Sequence, residues 1–314
     1  MLGRTANHLF WMFRYLERVE NTARLIEAGL RMALTRDLVA AEEEWRSVIA
    51  TSGQRAAYEK RHGTYSGIQA WNFLLREKGN PASVLTTFGL VRQNARAARG
   101  ALTGELWEAI NDNWLALSRD LERPVGETRV LDLVRRIRRA GTLAHGALHG
   151  SMLRNAIFHF ARAGTLLERA DNTARILDMK YYLLLPSIDY VGTALDTGQW
   201  ENVLRSVSGD RAYRWLNAGQ IDARGICRFL IFDESFPRSI AYAHGELRSE
   251  LDALARLHGQ EGECHALIRE ADTRRRAMTI DDVFEHGLHE CLRGFVASNA
   301  AIAEAIACDY RFLA

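Results

Sequence analysis

The sequence predicts an all-α protein, an internally duplicated helical bundle with two pseudo-symmetric halves. Ala, Leu, Arg and Glu, which favour helices, dominate the chain, and it has only four prolines. The period-two alternation of a half-buried strand is missing. In addition, the polar pattern of residues 16–27 returns at residues 167–178. These observations together predict a helical chain built by doubling one unit.

The two copies of this segment share the leading Leu, the Glu-Arg pair and the run Asn-Thr-Ala-Arg, at an offset of 151 residues. Further pairs return at offsets of 155 and 156 residues, as small loop insertions between duplicated halves would produce: Trp45 and Trp200, Tyr58 and Tyr213, and the motifs Pro81-x-Ser83 and Pro237-x-Ser239. We therefore expect a first half at residues 1–150 and a second half at residues 151–314, packed as one compact unit.

Capping residues and helix breakers predict the elements of the first half in order. Thr5 is expected to cap a long helix that runs to about Thr35, and a helix with Trp45 ends near Ser52-Gly53. Tyr58 begins a short segment, and Ser66–Arg76 forms another helix. Asn80-Pro81 is predicted to open a helix that reaches Leu102. Thr103 opens the helix that Pro124 and Gly126 end, and Thr128 opens one that reaches His149.

The second half is predicted to follow the same plan. Ser151 is expected to cap the second long helix, which ends at Leu185-Pro186. The elements after it repeat those of the first half, and the final helices pass Glu285 and His289 and reach about Cys308.

Composition sets limits on function. The formal net charge of +2 gives no field that would attract nucleic acid or an anionic membrane. The four cysteines have no zinc-finger spacing, which is typical of a reducing compartment. Neither a signal peptide nor a membrane span is predicted, so we expect a cytoplasmic protein. No nucleotide-binding motif appears, and no cofactor is predicted.

The duplicated segment carries the candidate site. On a helix, Glu17, Glu20, Asn21 and Arg24 fall on one face, which we call the Glu-Arg stripe, and Leu9, Phe10, Phe13, Leu16 and Ile26 fall on the opposite, core-facing side. In the second copy, Glu168, Asp171, Asn172 and Arg175 form the matching stripe. In a structural interpretation, the stripes of both halves form a buried network of ion pairs. In a functional interpretation, their arginines and asparagines hold an anion or a peptide in a cleft. The candidate residues are Arg14, Glu17, Arg18, Asn21, Arg24, Glu168, Arg169, Asn172 and Arg175.

Histidines offer two further hypotheses. Asp282, Glu285, His286 and His289 fall within two helical turns and are weak metal candidates, because a helical di-metal site needs a second Glu-x-x-His helix that residues 130–135 do not supply. His8 and His159 each stand nine residues before a stripe glutamate, on the opposite helix face, and are expected to be satisfied interior histidines.

Several motifs resemble one known family. Leu2-x-Arg4-Thr5-Ala6-x-x-Leu9-Phe10-Trp11, followed by Tyr15-Leu16-Glu17-Arg18-x-Glu20-Asn21-Thr22-Ala23-Arg24, is similar to the opening of the alpha-E domain family, a bacterial helical family named for its Glu-Arg motif. Asn80-Pro81-x-Ser83, Arg92-x-Asn94-Ala95-Arg96 and Phe236-Pro237-Arg238-Ser239 resemble its later regions, so the resemblance covers the whole chain. Phe13 departs from the smaller residue that the family often has there.

The resemblance implies partners more than chemistry. Alpha-E proteins typically accompany a circularly permuted ATP-grasp protein, and often a transglutaminase-like protease, in systems that make or trim a peptide or amide linkage. It therefore implies an accessory helical protein acting with an ATP-grasp ligase, with ATP bound by the partner. An independent helical di-metal carboxylate enzyme and a purely structural scaffold are the alternatives. The family supplies no catalytic residues to carry over, so Glu17-Arg18 is transferred only as its signature.

Overall fold

The computed structural model describes residues 3–33, 38–182, 194–218 and 220–312, and in these ranges every regular element is a helix. The first half contains α1 (Gly3–Ala33), α2 (Leu38–Thr51), α3 (Arg55–Glu59), α4 (Gly67–Arg76), α5 (Val84–Ala97), a 3-10 turn (Arg99–Ala101), α6 (Gly104–Asp120) and α7 (Glu127–Ser151). The second contains α8 (Ala156–Tyr182), α9 (Ala194–Ser206), α10 (Asp210–Leu216), α11 (Ala223–Phe232), α12 (Ile240–His258), α13 (Glu263–Ala277), α14 (Ile280–His286) and α15 (Leu288–Asp309). The all-α prediction is confirmed.

Helices α1 and α8 form the centre of the fold and pack against each other. α1 also packs against α2, α5 and α7, and α8 packs in the corresponding way against α9, α12 and α15. These corresponding sets of contacts agree with a duplicated chain, but the duplication and the boundary at residue 150 stay predictions. Gly164 makes the central contact possible, because a Cβ atom there would lie 2.2 Å from the carbonyl oxygen of Phe10. Any larger residue would push the two helices apart.

The core was predicted correctly where it is apolar. Leu9, Phe10, Phe13, Leu16 and Ile26 on α1 are all buried. The aromatic anchors Trp45, Tyr58, Trp200 and Tyr213 of the two halves are buried as well. The Glu-Arg stripe of α1, however, is also buried, so the polar face of this helix does not point to solvent as in an ordinary amphipathic helix.

Two helix starts follow the predicted caps, whereas Thr128 is not a cap, because α7 begins at Glu127 with Gly126 as its N-cap. The hydroxyls of Ser66 and Thr103 accept hydrogen bonds from backbone N–H groups of the first helical turn, as expected. Thr5 is not a cap, since α1 begins at Gly3. Asn80 is not the cap of α5 either: Ser83 caps that helix, and Asn80 instead accepts from the N–H of Ala82 and donates to the carbonyl of Phe73.

Two other predicted boundaries are wrong. α7 continues through Ser151, whose hydroxyl donates to the carbonyl of Ala147, and α8 begins only at Ala156. α5 ends at Ala97 rather than at Leu102, and a 3-10 turn follows. The expected helix ends at Thr35 and Leu185-Pro186 lie outside the described residues.

Among the described residues, α15 is long and apolar enough to cross a membrane by length and composition alone. This is weak evidence, because the helix packs against α8 and α13 and buries Leu292 and Ile302 there. Its outer face is exposed and carries small residues such as Ala297 and Ala301.

Candidate functional site

The glutamate of the first Glu-Arg pair is completely buried between the two central helices. Arg169 of α8 donates to both carboxylate oxygens of Glu17, from Nε at 3.2 Å and from Nη2 at 2.9 Å. Arg238 donates to Glu17 Oε1 at 2.6 Å, and His145 Nε2 lies 3.4 Å from Oε2. Burial alone would raise the pKa of Glu17, but Arg169 and Arg238 outweigh it and hold this pKa well below its ordinary value. Glu17 is therefore ionised and fully paired.

The glutamate of the second pair has a matching arrangement. Arg18 of α1 donates to both oxygens of Glu168, from Nε at 2.7 Å to Oε1 and from Nη2 at 3.0 Å to Oε2. Arg14 donates to Oε2 at 2.9 Å. Burial would again raise the pKa of Glu168, and the two arginines lower it overall. The buried network of the structural interpretation is present for both glutamates.

These contacts explain why glutamate and arginine are adjacent in the motif. Side chains at positions i and i+1 of a helix point about 100° apart, so Glu17 cannot pair with Arg18. Each motif instead sends its arginine to the glutamate of the other: Arg18 binds Glu168, and Arg169 binds Glu17. The two motifs thus lock α1 to α8 by a reciprocal exchange of ion pairs. Such a network fixes register, because sliding one helix would leave buried charges unpaired.

Glu20 and Arg24 of the first stripe extend this buried network. Glu20 accepts from Arg24 Nε at 3.2 Å and from Arg238 Nη2 at 2.7 Å. Arg24 also donates to the hydroxyl of Ser208. Burial, followed by the nearby charge of Arg238, lowers the pKa of Arg24 to about 10.

The second stripe borders a cleft of about 320 Å³ instead, which we call the polar cleft. Its polar walls are Arg18, Asn21, Glu168, Asp171, Asn172 and Arg175, and its remaining lining comes from Thr22, Leu25, residues 51–54, Leu74 and Ala82. The volume is at the lower end of the range for small-molecule sites. The cleft lies between α1, α8, the turn after α2, and the start of α5.

The polar cleft holds hydrogen-bonding capacity that the described residues do not use. Arg175 donates to Asp171 Oδ2 through Nε at 2.7 Å, and no described contact uses its two terminal nitrogens. Arg18 uses Nε and Nη2 on Glu168, which leaves Nη1 available. Asn172 is only 5% exposed, and its Nδ2 has no partner among the described residues. A buried amide without a partner is costly, so these donors are suited to a bound acceptor.

The structure therefore divides the nine predicted site residues. Arg18, Asn21, Glu168, Asn172 and Arg175 line the polar cleft, as the functional interpretation expects of a site. The others do not line it: Arg14 supports Glu168, and Glu17, Arg24 and Arg169 belong to the network around Arg238. Asn21 is the member of the first stripe that lines the cleft, whereas all four residues of the second stripe line it. Whether the cleft binds a ligand stays a prediction.

The predicted metal residues do not form a cluster. Asp282 accepts from the backbone and the hydroxyl of Thr279 as part of a helix cap. Gly287, at φ +94°, ends α14, so His289 starts a different helix and binds Asp178 at 2.6 Å. Glu285 and His286 are exposed. The assumption that the four residues share one helix is wrong.

Two other groups of metal-binding side chains come together among the described residues. Cys264, His265 and Asp309 are one, but His265 Nδ1 accepts from the N–H of Gly262, and burial raises the pKa of the Cys264 thiol. Glu17, Glu20 and His145 are the other, and arginines already occupy both of its carboxylates. Neither group presents free ligands.

The two equivalent histidines are satisfied, as expected. His8 Nδ1 lies 2.8 Å from Asn94 Oδ1, and His159 Nδ1 lies 2.6 Å from Glu250 Oε2. Both partners are on the neighbouring helices, α5 and α12, so neither histidine shares a site with the stripe of its own helix.

Sequence reasoning missed Arg238 and Ala82. The motif that contains them was recognised twice as Pro-x-Ser, yet its middle position was ignored. One copy has arginine there and the other has alanine. That difference was the available signal.

Comparisons with known proteins agree with this description. The Alpha-E family model, described as a predicted alpha-helical domain with a conserved ER motif, matches residues 1–310. Two mycobacterial proteins are similar: "Uncharacterized protein Mb2597" of Mycobacterium bovis and "Uncharacterized protein MT2643" of Mycobacterium tuberculosis, each 24% identical over 329 residues. The match covers 96% of this chain but only 36% of each relative. No solved structure matches.

Proposed function

Because the chain belongs to the Alpha-E family, we propose that it is an accessory protein that holds an anionic group of a substrate in its polar cleft for a partner enzyme. The partner we propose is a circularly permuted ATP-grasp ligase, and the joint reaction is the formation or modification of a peptide or amide bond. A transglutaminase-like protease is a second proposed partner. The proteins act together in the cytoplasm in this proposal, and the four unpaired cysteines suit such a reducing compartment.

One observation carries the binding role: the polar cleft presents arginine and amide donors that the described contacts leave unused. Arg18 and Arg175 offer terminal guanidinium nitrogens, and Asn172 offers a buried Nδ2. A carboxylate has two oxygens and about four acceptor positions, so it offers enough acceptors for all three residues. Charge-assisted hydrogen bonds of this kind are the stronger ones in proteins.

A ligase of the proposed class activates one carboxylate as an acyl phosphate and then needs an amine close by. ATP binding and phosphoryl transfer belong to the partner in this proposal. The polar cleft would grip the carboxylate of the amine-bearing substrate and so present its amine to the activated acid. Holding the second reactant in this way lowers the entropic cost of the encounter.

The lengths of the relatives support a partner. This chain spans 36% of the two mycobacterial proteins, so both carry a larger additional segment in the same polypeptide. A domain that is joined to further chain in its relatives is well suited to work beside another protein here. The alternative of a di-metal enzyme has less support, because its four candidate ligands do not converge.

Co-purification with a circularly permuted ATP-grasp protein of the same organism, followed by an ATP-consumption assay with and without the chain, tests the proposal. We expect association and faster turnover. Arg175→Gln should reduce the stimulation without weakening association, because Arg175 lines the cleft and is exposed. Arg55→Gln is the matched control, since Arg55 forms a similar exposed i,i+4 ion pair with Glu59 on α3 and does not line the cleft.

If the two proteins neither associate nor change each other's turnover, the accessory role is wrong. If they associate and the Arg175 variant stimulates as well as the wild type, the chain is a scaffold and the cleft has no part in the reaction.

A further inference from the structure

The polar cleft exists because of one difference between the halves. Ala82 stands one residue before Ser83, the N-cap of α5, and Arg238 stands one residue before Ser239, the N-cap of α12. α5 packs against α1, and α12 packs against α8 in the corresponding way. The two positions are therefore equivalent in local structure. One carries a guanidinium group and the other only a methyl group.

On the side of Arg238, that guanidinium bridges two carboxylates. Its Nη1 donates to Glu17 Oε1 at 2.6 Å, and its Nη2 donates to Glu20 Oε1 at 2.7 Å. The planar fork of an arginine suits this geometry, in which two neighbouring acceptors each take one terminal nitrogen. Arg238 thus fills the space and satisfies both acids.

On the side of Ala82, the equivalent acids lack this donor. Glu168 Oε1 accepts only from Arg18 among the described residues, whereas Glu17 Oε1 accepts from both Arg169 and Arg238. Asp171, the counterpart of Glu20, accepts only from Arg175, through Oδ2. Ala82, Glu168 and Asp171 all line the polar cleft. Two carboxylate oxygens with spare capacity thus border the space that an arginine fills in the other half.

We infer that the ligand of the polar cleft carries a guanidinium group as well as a carboxylate, and that the guanidinium bridges Glu168 Oε1 and Asp171 as Arg238 bridges Glu17 and Glu20. This inference rests on the proposed function, which supplies the carboxylate, and it names the substrate class: an arginine-like zwitterion. The paired charges of Arg18, Arg175, Glu168 and Asp171 sum to zero, which complements a ligand with one charge of each sign.

Calorimetric titration of the full chain with three probes tests the inference. 4-Guanidinobutyrate has both groups, agmatine has the guanidinium without the carboxylate, and glutarate has carboxylates without the guanidinium. We expect 4-guanidinobutyrate to bind at least about tenfold more tightly than either of the others, as one charge-assisted contact predicts.

Two variants locate the guanidinium. Asp171→Asn should weaken 4-guanidinobutyrate by about tenfold or more without weakening glutarate, because within the ligand only the cation contacts Asp171 and the loss of the Asp171 charge leaves Arg175 more available to an anion. Ala82→Arg should abolish agmatine binding and raise the unfolding midpoint, since the new side chain supplies the missing bridge. Ala82→Leu is the matched control, which fills the same space without a charge and should block agmatine without raising the midpoint.

The outcomes separate the inference from the proposed function. If glutarate binds as tightly as 4-guanidinobutyrate and Asp171→Asn changes neither, the cleft is an anion site only and the inference is overturned. If none of the three probes binds, the proposed function fails and the inference fails with it.

Discussion

Removing the buried glutamates should destabilise the protein to unequal degrees. Glu17→Ala leaves Arg169, which is 13% exposed, with one weak contact to the carbonyl of Pro237 at 3.4 Å. Breaking a buried ion pair from one side costs about 3–5 kcal/mol, because the charge left behind is neither paired nor hydrated. Arg238 keeps Glu20, so one arginine rather than two is stranded. We expect a loss near 4–5 kcal/mol for this variant.

Glu168→Ala should cost less, near 3 kcal/mol. Arg18 is 36% exposed at the mouth of the polar cleft and can be hydrated when its partner is lost. Arg14 retains a contact with the face of the Trp11 ring, 4.7 Å from its centroid. The ordering of the two variants follows from what remains to the stranded arginines: Arg18 can be hydrated, and Arg14, which is 12% exposed and so as buried as Arg169, keeps the Trp11 ring.

Urea denaturation at pH 7, with slopes fitted separately, measures both losses. Glu270→Ala is the control, because exposed Glu270 contacts only exposed Arg274 among the described ion pairs and hydrogen bonds, and its midpoint should match that of the wild type. Since the pKa of Glu17 is lowered by folding, its stabilising effect is complete above the ordinary value of 4.5 and is lost as the pH falls through the folded pKa. The gap between wild type and Glu17→Gln should therefore shrink in acid. Wild-type midpoints for both alanine variants, or a gap that widens in acid, would refute the reasoning.

Three further outcomes can be checked. Burial lowers the pKa of His244 to about 4, so folding opposes its protonation. Between pH 7 and pH 5, the free energy of unfolding of the wild type should therefore fall by about 2 kcal/mol more than that of His244→Gln, and equal losses would contradict this. Elemental analysis of protein purified without a histidine tag should find no stoichiometric iron, manganese or zinc, because Asp282 and His289 already bind other groups; one equivalent of metal would revive the enzyme alternative. Arg238→Ala should be less stable than wild type yet bind two equivalents of agmatine instead of one, since it opens a second gap beside Glu20; calorimetry that still shows one equivalent counts against the equivalence of the two positions.

The helices were predictable because their signals are local. Ser66 and Thr103 cap helices where the pattern expects them, and apolar spacing on α1 identified its core face. Errors arose where a second residue competed for the same role. Ser83 outcompeted Asn80 as a cap, and Ser151 bonded back to its own helix instead of starting a new one. The hydrogen bonds that such side chains form depend on which backbone groups tertiary packing leaves free, and the spacing of residues in the sequence does not show this.

Sequence periodicity could place glutamate and arginine on helix faces, but it could not predict which of them pair between two helices. Within one helix, the spacing allowed Arg24 to reach Glu20 and Arg175 to reach Asp171, and both pairs formed. The exchange between Arg18 and Glu168 depends on how closely α1 and α8 approach at Gly164, which is a property of the packed pair. For this reason, charge patterns identified the participants while the structure supplied the partners.

The two Glu-Arg motifs exchange two ion pairs, yet only the pair of Arg18 and Glu168 borders the polar cleft. A symmetric pair of helices with equal motifs predicts two equal sites or none. The symmetry is broken at the residue before a cap, where Arg238 closes one side and Ala82 leaves the other open. The side that Arg238 fills keeps the two helices in register. The side that Ala82 leaves open has carboxylates and guanidinium groups of the same kind, with hydrogen-bonding positions that are not used. One of the two exchanged ion pairs, Glu17 with Arg169, can thus serve stability while the other, Glu168 with Arg18, serves binding, which reconciles the two interpretations that the sequence left open.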